Sequence, residues 1–105
     1  MANEKVNNVI SIIKDMDLKN KLRLGLCISS SSYINLEYNK AHIYSIFDKK
    51  LKEFDKEYLT SYVNIRKYPV ILFLMAKIME MNKTQQNQVV MYLYNISNIE
   101  SSKNI

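Results

Sequence analysis

The sequence has one glycine, Gly25, and one proline, Pro69, in 105 residues. Folds built from β-strands need many tight turns, and those turns usually contain glycine or proline. Their scarcity therefore favours long helices joined by polar loops. It also excludes a glycine-rich phosphate-binding loop.

Cysteine and histidine also occur once each, as Cys27 and His42. A disulfide within the chain needs two cysteines, and a zinc site needs several ligands at defined spacing. Cys27 lies between apolar neighbours, which is typical of a buried and unreactive thiol. His42 has no identifiable catalytic partner, and the acidic residues mostly alternate with lysines instead of forming carboxylate pairs. We therefore expect no enzyme activity, no metal and no cofactor.

The chain begins Met-Ala-Asn-Glu-Lys, without the apolar segment of a secretory signal. A single thiol suits a reducing compartment, so the expected location is the cytoplasm. The longest nearly apolar run, residues 69–81, contains Lys77 and Glu80 and is shorter than the roughly 20 residues of a membrane span. It is apolar almost all round, which predicts a central helix of a bundle, with Leu72 and Phe73 in the core, or else a helix that binds a partner.

The formal net charge is +5, and only two of the cations are arginines, Arg23 and Arg66. The charge is spread along the chain, whereas nucleic-acid binders usually concentrate it on one face or arm. We therefore predict no tight nucleic-acid binding. A hydrated basic surface is the simplest interpretation, and an acidic protein or an anionic membrane surface is the class of partner it would attract.

The apolar spacing predicts an all-α fold, an antiparallel bundle of four to five helices that forms a single domain over residues 1–105. The third predicted helix has one continuous apolar face from Ile43 to Ile65, although its charge pattern is compatible with a break near Asp55. The predicted elements are a helix at 3–16, a segment at 17–34, helices at 35–65 and 69–81, a last helix capped by Thr84, and a frayed tail at 101–105.

The segment at 17–34 fits two structures. Apolar residues at every second position from Leu22 to Ile28 fit a short β-hairpin over residues 22–38. With Asp17 as N-cap, leucines four residues apart form one helical face instead, although Gly25 would lower the stability of that helix. The helix is favoured because an isolated two-stranded hairpin is only marginally stable.

Between residues 45 and 100, one set of positions matches a known family. The matching positions are Leu51 and Phe54, Pro69-Val70-Ile71-Leu72 followed by Met75, Thr84 with Gln88, Leu93, and Ile96-Ser97-Asn98-Ile99. This part of the chain resembles the immunity proteins for class IIa (pediocin-like) bacteriocins, which are small, basic, cytosolic four-helix proteins. The match is mostly apolar, the segment from Pro69 to Thr84 is shorter than in that family, and residues 1–40 match nothing in it.

The resemblance implies a protein without catalytic activity that protects its host from inside the cell. Such proteins act on a complex of the bacteriocin and the mannose-phosphotransferase receptor, with specificity in the C-terminal half, here residues 84–105. If Val89, Leu93 and Ile96 face the core, a polar strip of the last helix faces outward. The predicted partner-binding residues on this strip and the tail are Gln85, Gln88, Tyr92, Asn95, Ser101, Ser102, Lys103, Asn104 and Ile105.

Two other functions fit the same sequence. One is a small phage or mobile-element regulator, which would bind a host or helper protein through a helical surface and inhibit or redirect it. The other is a DNA-binding repressor, in which Gln85, Gln86, Asn87 and Gln88 would face base edges. The last helix lacks the surrounding arginines and lysines that hold phosphates.

Overall fold

The computed structural model describes the backbone of residues 2–37, 39–58 and 63–103, and within them the side chains from 4 to 96. These residues contain five α-helices, one short 3₁₀ helix and no β-strand, so the predicted all-α fold is confirmed. The hairpin at 22–38 is absent from the described part of that range. The helices are α1 (Ala2–Lys14), α2 (Leu18–Ser30), α3 (Lys40–Phe54), α4 (Pro69–Met79) and α5 (Lys83–Lys103), and the 3₁₀ helix is Ile65–Lys67.

Helix α2 occupies the centre of the fold, because it packs against α3, α4 and α5. Asp17 caps it as predicted, accepting a hydrogen bond from the Asn20 N–H at 2.8 Å. Its buried residues are Lys21, Leu22, Leu24, Gly25, Leu26, Ile28 and Ser29. A helix that packs against neighbours on more than one side needs apolar residues on each of those sides, which explains why the apolar residues of α2 alternate as in a strand.

Gly25 allows α2 and α3 to approach each other closely. A Cβ atom added at Gly25 would lie 2.5 Å from the ring of Phe47, which is fully buried. Real Cβ atoms do not come that close to a neighbouring atom. The single glycine of the chain therefore serves helix packing, whereas the sequence suggested only a loss of helix stability.

Helix α3 is shorter than the predicted helix at 35–65. It begins after Asn39, whose side chain accepts a hydrogen bond from the His42 N–H, and it ends at Phe54. Asp55 leaves the helical conformation, and its carboxylate accepts a hydrogen bond from the Glu57 N–H at 3.1 Å. The break near Asp55 therefore occurs, and the single helix through Ile65 was wrong.

Arg23 of α2 joins the end of α3 to the start of α4. Its guanidinium lies 2.8 Å from the Asp55 carboxylate, donates to Asn20 Oδ1 at 2.7 Å, and stacks 4.4 Å from the centre of the Tyr68 ring. The hydrogen bond from Arg23 holds the pKa of Asp55 below its ordinary value, against the opposing effect of desolvation. One arginine thus positions both ends of the connection between the two helices.

Replacing Asp55 with asparagine should therefore change how stability depends on pH. Because the folded pKa is lowered, the carboxylate stabilises the fold fully above the ordinary value of about 3.9. That contribution is lost as the pH falls through the lower folded pKa. Urea unfolding should show Asp55→Asn to be less stable at pH 7 by up to about 1 kcal/mol, with the difference vanishing in acid. The exposed control Glu57→Gln should keep the wild-type stability at pH 7 within about 0.5 kcal/mol. A gap between Asp55→Asn and wild type that persists in strong acid would contradict the ion pair.

Helix α4 is buried on one side only. Ile71, Leu74 and Ile78 are fully buried, whereas Leu72 and Phe73 are 49% and 50% exposed. The prediction that this segment is the central helix, with Leu72 and Phe73 in the core, was therefore wrong. The segment supplies half of its surface to the core and leaves the other half uncovered.

Helix α5 begins one residue before the predicted cap. Asn82, not Thr84, is the cap: its Oδ1 accepts from the Gln85 N–H at 2.9 Å, and Gln85 Oε1 accepts from the Asn82 N–H at 3.0 Å. This reciprocal pair is a capping box. Val89 and Leu93 are buried as predicted. The helix continues to Lys103, whereas a frayed tail was predicted from residue 101; Asn104 and Ile105 lie outside the described residues.

Candidate binding surface

The uncovered side of α4 is apolar. Leu72, Phe73 and Met79 are each about half exposed, at 49%, 50% and 46%, and Pro69 and Ala76 are exposed beside them. These five residues, called the α4 face below, are spaced three and four apart, so they lie on one side of the helix. Contiguous exposed apolar surface on a small protein commonly marks an interaction site.

A groove runs beside this face, between α1 and α4. It has a volume of about 240 Å³ and is lined by Lys5, Asn8, Val9, Ile12, Phe73, Lys77, Glu80 and Met81. Val9 and Met81 are buried and form its floor, while the charged residues are exposed at its rim. Phe73 belongs to both the groove and the α4 face, so the two form one surface.

The rim of the groove carries two lysines with no ion-pair partner among the side chains that the structure describes, Lys5 and Lys77. The ammonium of Lys77 lies 5.4 Å from the centre of the Phe73 ring, within the range of a cation–π contact. Lys77 and Phe73 both line the groove, so the cation lies beside its apolar lining. Glu80 is exposed on the same rim and offsets one of the two positive charges.

The structure divides the strip that the sequence predicted on α5. Gln88 and Asn95 are exposed as expected, and Tyr92 is half-buried between them. Gln85 is only 8% exposed because its amide closes the capping box, so its predicted exposure was wrong. Of the tail, Ser101, Ser102 and Lys103 have helical backbone without described side chains, and Asn104 and Ile105 lie outside the described residues.

The two residues after Gln85 hold the loop between α2 and α3. Gln86 donates from Nε2 to the Ile78 carbonyl at 3.0 Å and accepts from the Asn35 N–H at 3.3 Å. Asn87 accepts from the Glu37 N–H at 2.7 Å and donates to the Asn35 carbonyl at 3.3 Å. Both side chains are buried, so these amides satisfy backbone groups that a packed loop would otherwise leave unpaired.

This arrangement bears directly on the DNA-binding alternative. Of the four residues that the DNA-binding alternative placed against base edges, Gln85, Gln86 and Asn87 are buried and bonded within the protein, and only Gln88 is exposed. Base readout requires side chains that project freely from the helix into a groove of DNA. Three of the four residues that favoured a repressor therefore bond within the protein and do not project from the helix.

The single thiol and the single imidazole lie apart from the groove. Cys27 is half-buried on α2, and burial raises its pKa to about 11, so the thiol stays protonated and a weak nucleophile. His42 is exposed in the first turn of α3, beside a hollow lined by Met91 and Tyr94. Among the residues described, no three His, Cys, Asp or Glu side chains gather as metal ligands would.

Sequence reasoning left open that residues 69–81 bind a partner, but it placed Leu72 and Phe73 in the core because the run is apolar almost all round. Two charged residues in that run, Lys77 and Glu80, could have indicated which side of the helix is exposed. On a helical projection Lys77 and Glu80 fall on the same half as Leu72, Phe73 and Ala76, and charged side chains are rarely buried without a partner. Their positions identify the half that faces solvent.

Comparison with protein-family models, with curated proteins and with solved structures finds no match to this chain. In the part of the chain that the structure describes, no helix is both long and apolar enough to cross a membrane. Helix α5 has 21 residues but is too polar, and the apolar α4 has only 11. The function must therefore be argued from the chemistry of the surface itself.

Proposed function

We propose that this protein acts by binding another protein, without catalysis, and that the α4 face and the adjoining groove are its main contact surface. The observation that carries this proposal is the exposure of Leu72, Phe73 and Met79 on one side of a helix whose other side lies in the core. Aromatic residues and methionine are enriched at the centres of protein interfaces. Burying these three side chains against a partner would remove apolar surface from water that the isolated chain leaves uncovered.

Immunity to a class IIa bacteriocin is the most specific form of this proposal. It is supported by the resemblance over residues 45–100, which includes all of α4, and by a small basic helical fold. The protein would act from the cytoplasm on the complex of bacteriocin and mannose-phosphotransferase receptor. The exposed strip with Gln88 and Asn95, together with the tail, would select the bacteriocin.

Expression in a pediocin-sensitive strain tests both parts of this proposal. We expect the wild-type chain to protect the cells, and the double variant Leu72→Ser/Phe73→Ser to lose protection because its contact surface has become polar. The matched control is Tyr33→Ser, which removes a large side chain that is 77% exposed elsewhere on the molecule. If the tail selects the bacteriocin, removing residues 99–105 should abolish protection or reduce the number of bacteriocins against which the cells are protected.

The outcomes separate the alternatives. Full protection by the double variant would exclude the α4 face as the contact surface. No protection against any class IIa bacteriocin would overturn immunity. In that case, a phage, host or helper protein retained from a Gram-positive lysate by the wild type, but not by the double variant, would support the mobile-element regulator acting through the same surface.

A further inference from the structure

We infer that the groove between α1 and α4 receives an amphipathic helix of the partner, with acidic side chains along the edge of its apolar face. This inference rests on the proposed protein-binding function and specifies the chemistry of the partner. Three observations support it: the shape of the groove, the charges on its rim, and the poor fit of the other occupants.

The shape suits a helix better than a small ligand. The groove lies between two helices, and a third helix fits such a depression with its side chains interdigitating between theirs. Its volume of about 240 Å³ is below the roughly 300–1,000 Å³ of pockets that bury small molecules. Its apolar lining consists of the buried Val9 and Met81 and the more exposed Ile12 and Phe73. Helices that bind in grooves insert apolar residues at three- and four-residue spacing into floors of this kind.

The rim charges specify the sign of the partner. Lys5 stands on the α1 side and Lys77 on the α4 side, and neither has an ion-pair partner among the described side chains. Carboxylates that flank an inserted apolar face would lie beside both ammonium groups. Glu80 reduces the net rim charge to a single positive charge, but the chain as a whole carries +5. That field would speed the encounter with an acidic partner.

The other occupants fit less well. In a symmetric dimer the same patch would meet itself, so two rims of net positive charge would come together, and both copies carry a net charge of +5. An anionic bilayer would supply negative charge to the two lysines. A flat membrane surface would not fill a concave groove, however, so the apolar lining of the groove would stay uncovered. A partner helix satisfies both the charge and the concavity.

Two synthetic peptides of about 20 residues, long enough to form helices, test the inference by fluorescence anisotropy. Both carry the same leucine pattern on one face; one has glutamates beside that face and the other has lysines. We expect the glutamate peptide to bind wild type about tenfold more tightly than the lysine peptide. The double variant Lys5→Glu/Lys77→Glu should reverse the preference. The control Lys49→Glu/Lys56→Glu makes the same charge change at exposed positions outside the groove and should retain it.

Several results would overturn the inference. They are equal binding of the two peptides, no binding of either, and a preference that the control variant reverses as well. Binding to phosphatidylserine vesicles but to neither peptide, lost in Lys5→Glu/Lys77→Glu, would replace the partner helix with a membrane surface. A dimer in sedimentation that Phe73→Ser dissociates would replace it with a second copy. The cell-protection result with Leu72→Ser/Phe73→Ser does not depend on the peptides, so failure of this inference is distinguishable from failure of the proposed function.

Discussion

Replacing Leu74 with alanine is expected to lower the free energy of unfolding by about 2–5 kcal/mol. Leu74 is fully buried on the inner side of α4, so the substitution leaves a cavity in the core. Replacing Leu72 with alanine should cost about 1 kcal/mol or less, because 49% of that residue is already in water. The two variants make the same chemical change two residues apart on one helix. Each is therefore the matched control for the other, and urea unfolding of both measures the difference.

The contrast between the two leucines tests the orientation of α4 directly. Similar losses for Leu72→Ala and Leu74→Ala would mean that the helix is covered on both sides, as its all-apolar sequence suggested. In that case the α4 face would not be exposed, and it could not be the proposed contact surface. A large loss of unfolding free energy for Leu74→Ala but not for Leu72→Ala would establish that this side of α4 is uncovered in solution. The dependence of the unfolding free energy on urea concentration should stay the same in both variants.

Replacing Gly25 with alanine should destabilise the protein by about 1–3 kcal/mol, the usual cost of overpacking a core. The direction is the opposite of what helix propensity predicts, since alanine is about 1 kcal/mol better than glycine inside a helix. The added methyl group would lie 2.5 Å from the ring of Phe47. That ring is fully buried, so it cannot relieve the clash by moving into solvent. Thermal or urea unfolding measures the change.

Two further variants show whether the clash is the cause. Ser30→Ala places alanine at an exposed position of the same helix and should change stability by no more than about 0.5 kcal/mol. In a Phe47→Leu background, Gly25→Ala should be much less harmful, because the smaller side chain makes room for the methyl group. A Gly25→Ala variant that is more stable than wild type would show that α2 and α3 do not approach as closely as described.

The elements that could be predicted from sequence depend on local interactions. Asp17 caps α2 through the N–H of Asn20, three residues away. The apolar residues of α1 fall at helical spacing, and Val6, Val9 and Ile13 are indeed buried. Such signals act within one or two turns, so they are legible without knowledge of the rest of the chain.

The end of α3 could not be placed with the same certainty, because the cause lies elsewhere in the chain. The apolar spacing continues past Phe54 to Ile65, which suggested an unbroken helix. The helix ends where Asp55 binds Arg23, a residue 32 positions earlier. Tyr58 lies after the end of α3 but still packs against the core, and its hydroxyl donates a hydrogen bond to Asp48 Oδ1 at 2.6 Å. A side chain can therefore continue the apolar pattern after the helical backbone has ended.

The candidate site illustrates the same limit. Gln85 was predicted on an exposed strip, and Gln86 and Asn87 were candidates to face base edges, because all three are polar. They are buried because a capping box and a packed loop need partners for their backbone groups. Leu72 and Phe73 are apolar, and apolarity alone suggested the core. They are exposed because the fold offers α4 neighbours on one side only.

By itself, the sequence determined that the chain is helical and that α2 begins after Asp17. It did so through helical spacing, capping side chains and the scarcity of glycine and proline, all of which act over short distances. The tertiary structure alone decided that α2 is central, that Gly25 meets Phe47, and that α4 leaves an apolar face beside a basic groove. Burial is decided by which helix packs against which. Helix packing depends on contacts between residues far apart in the chain. The helix propensity and apolar spacing of a single segment do not reveal those contacts.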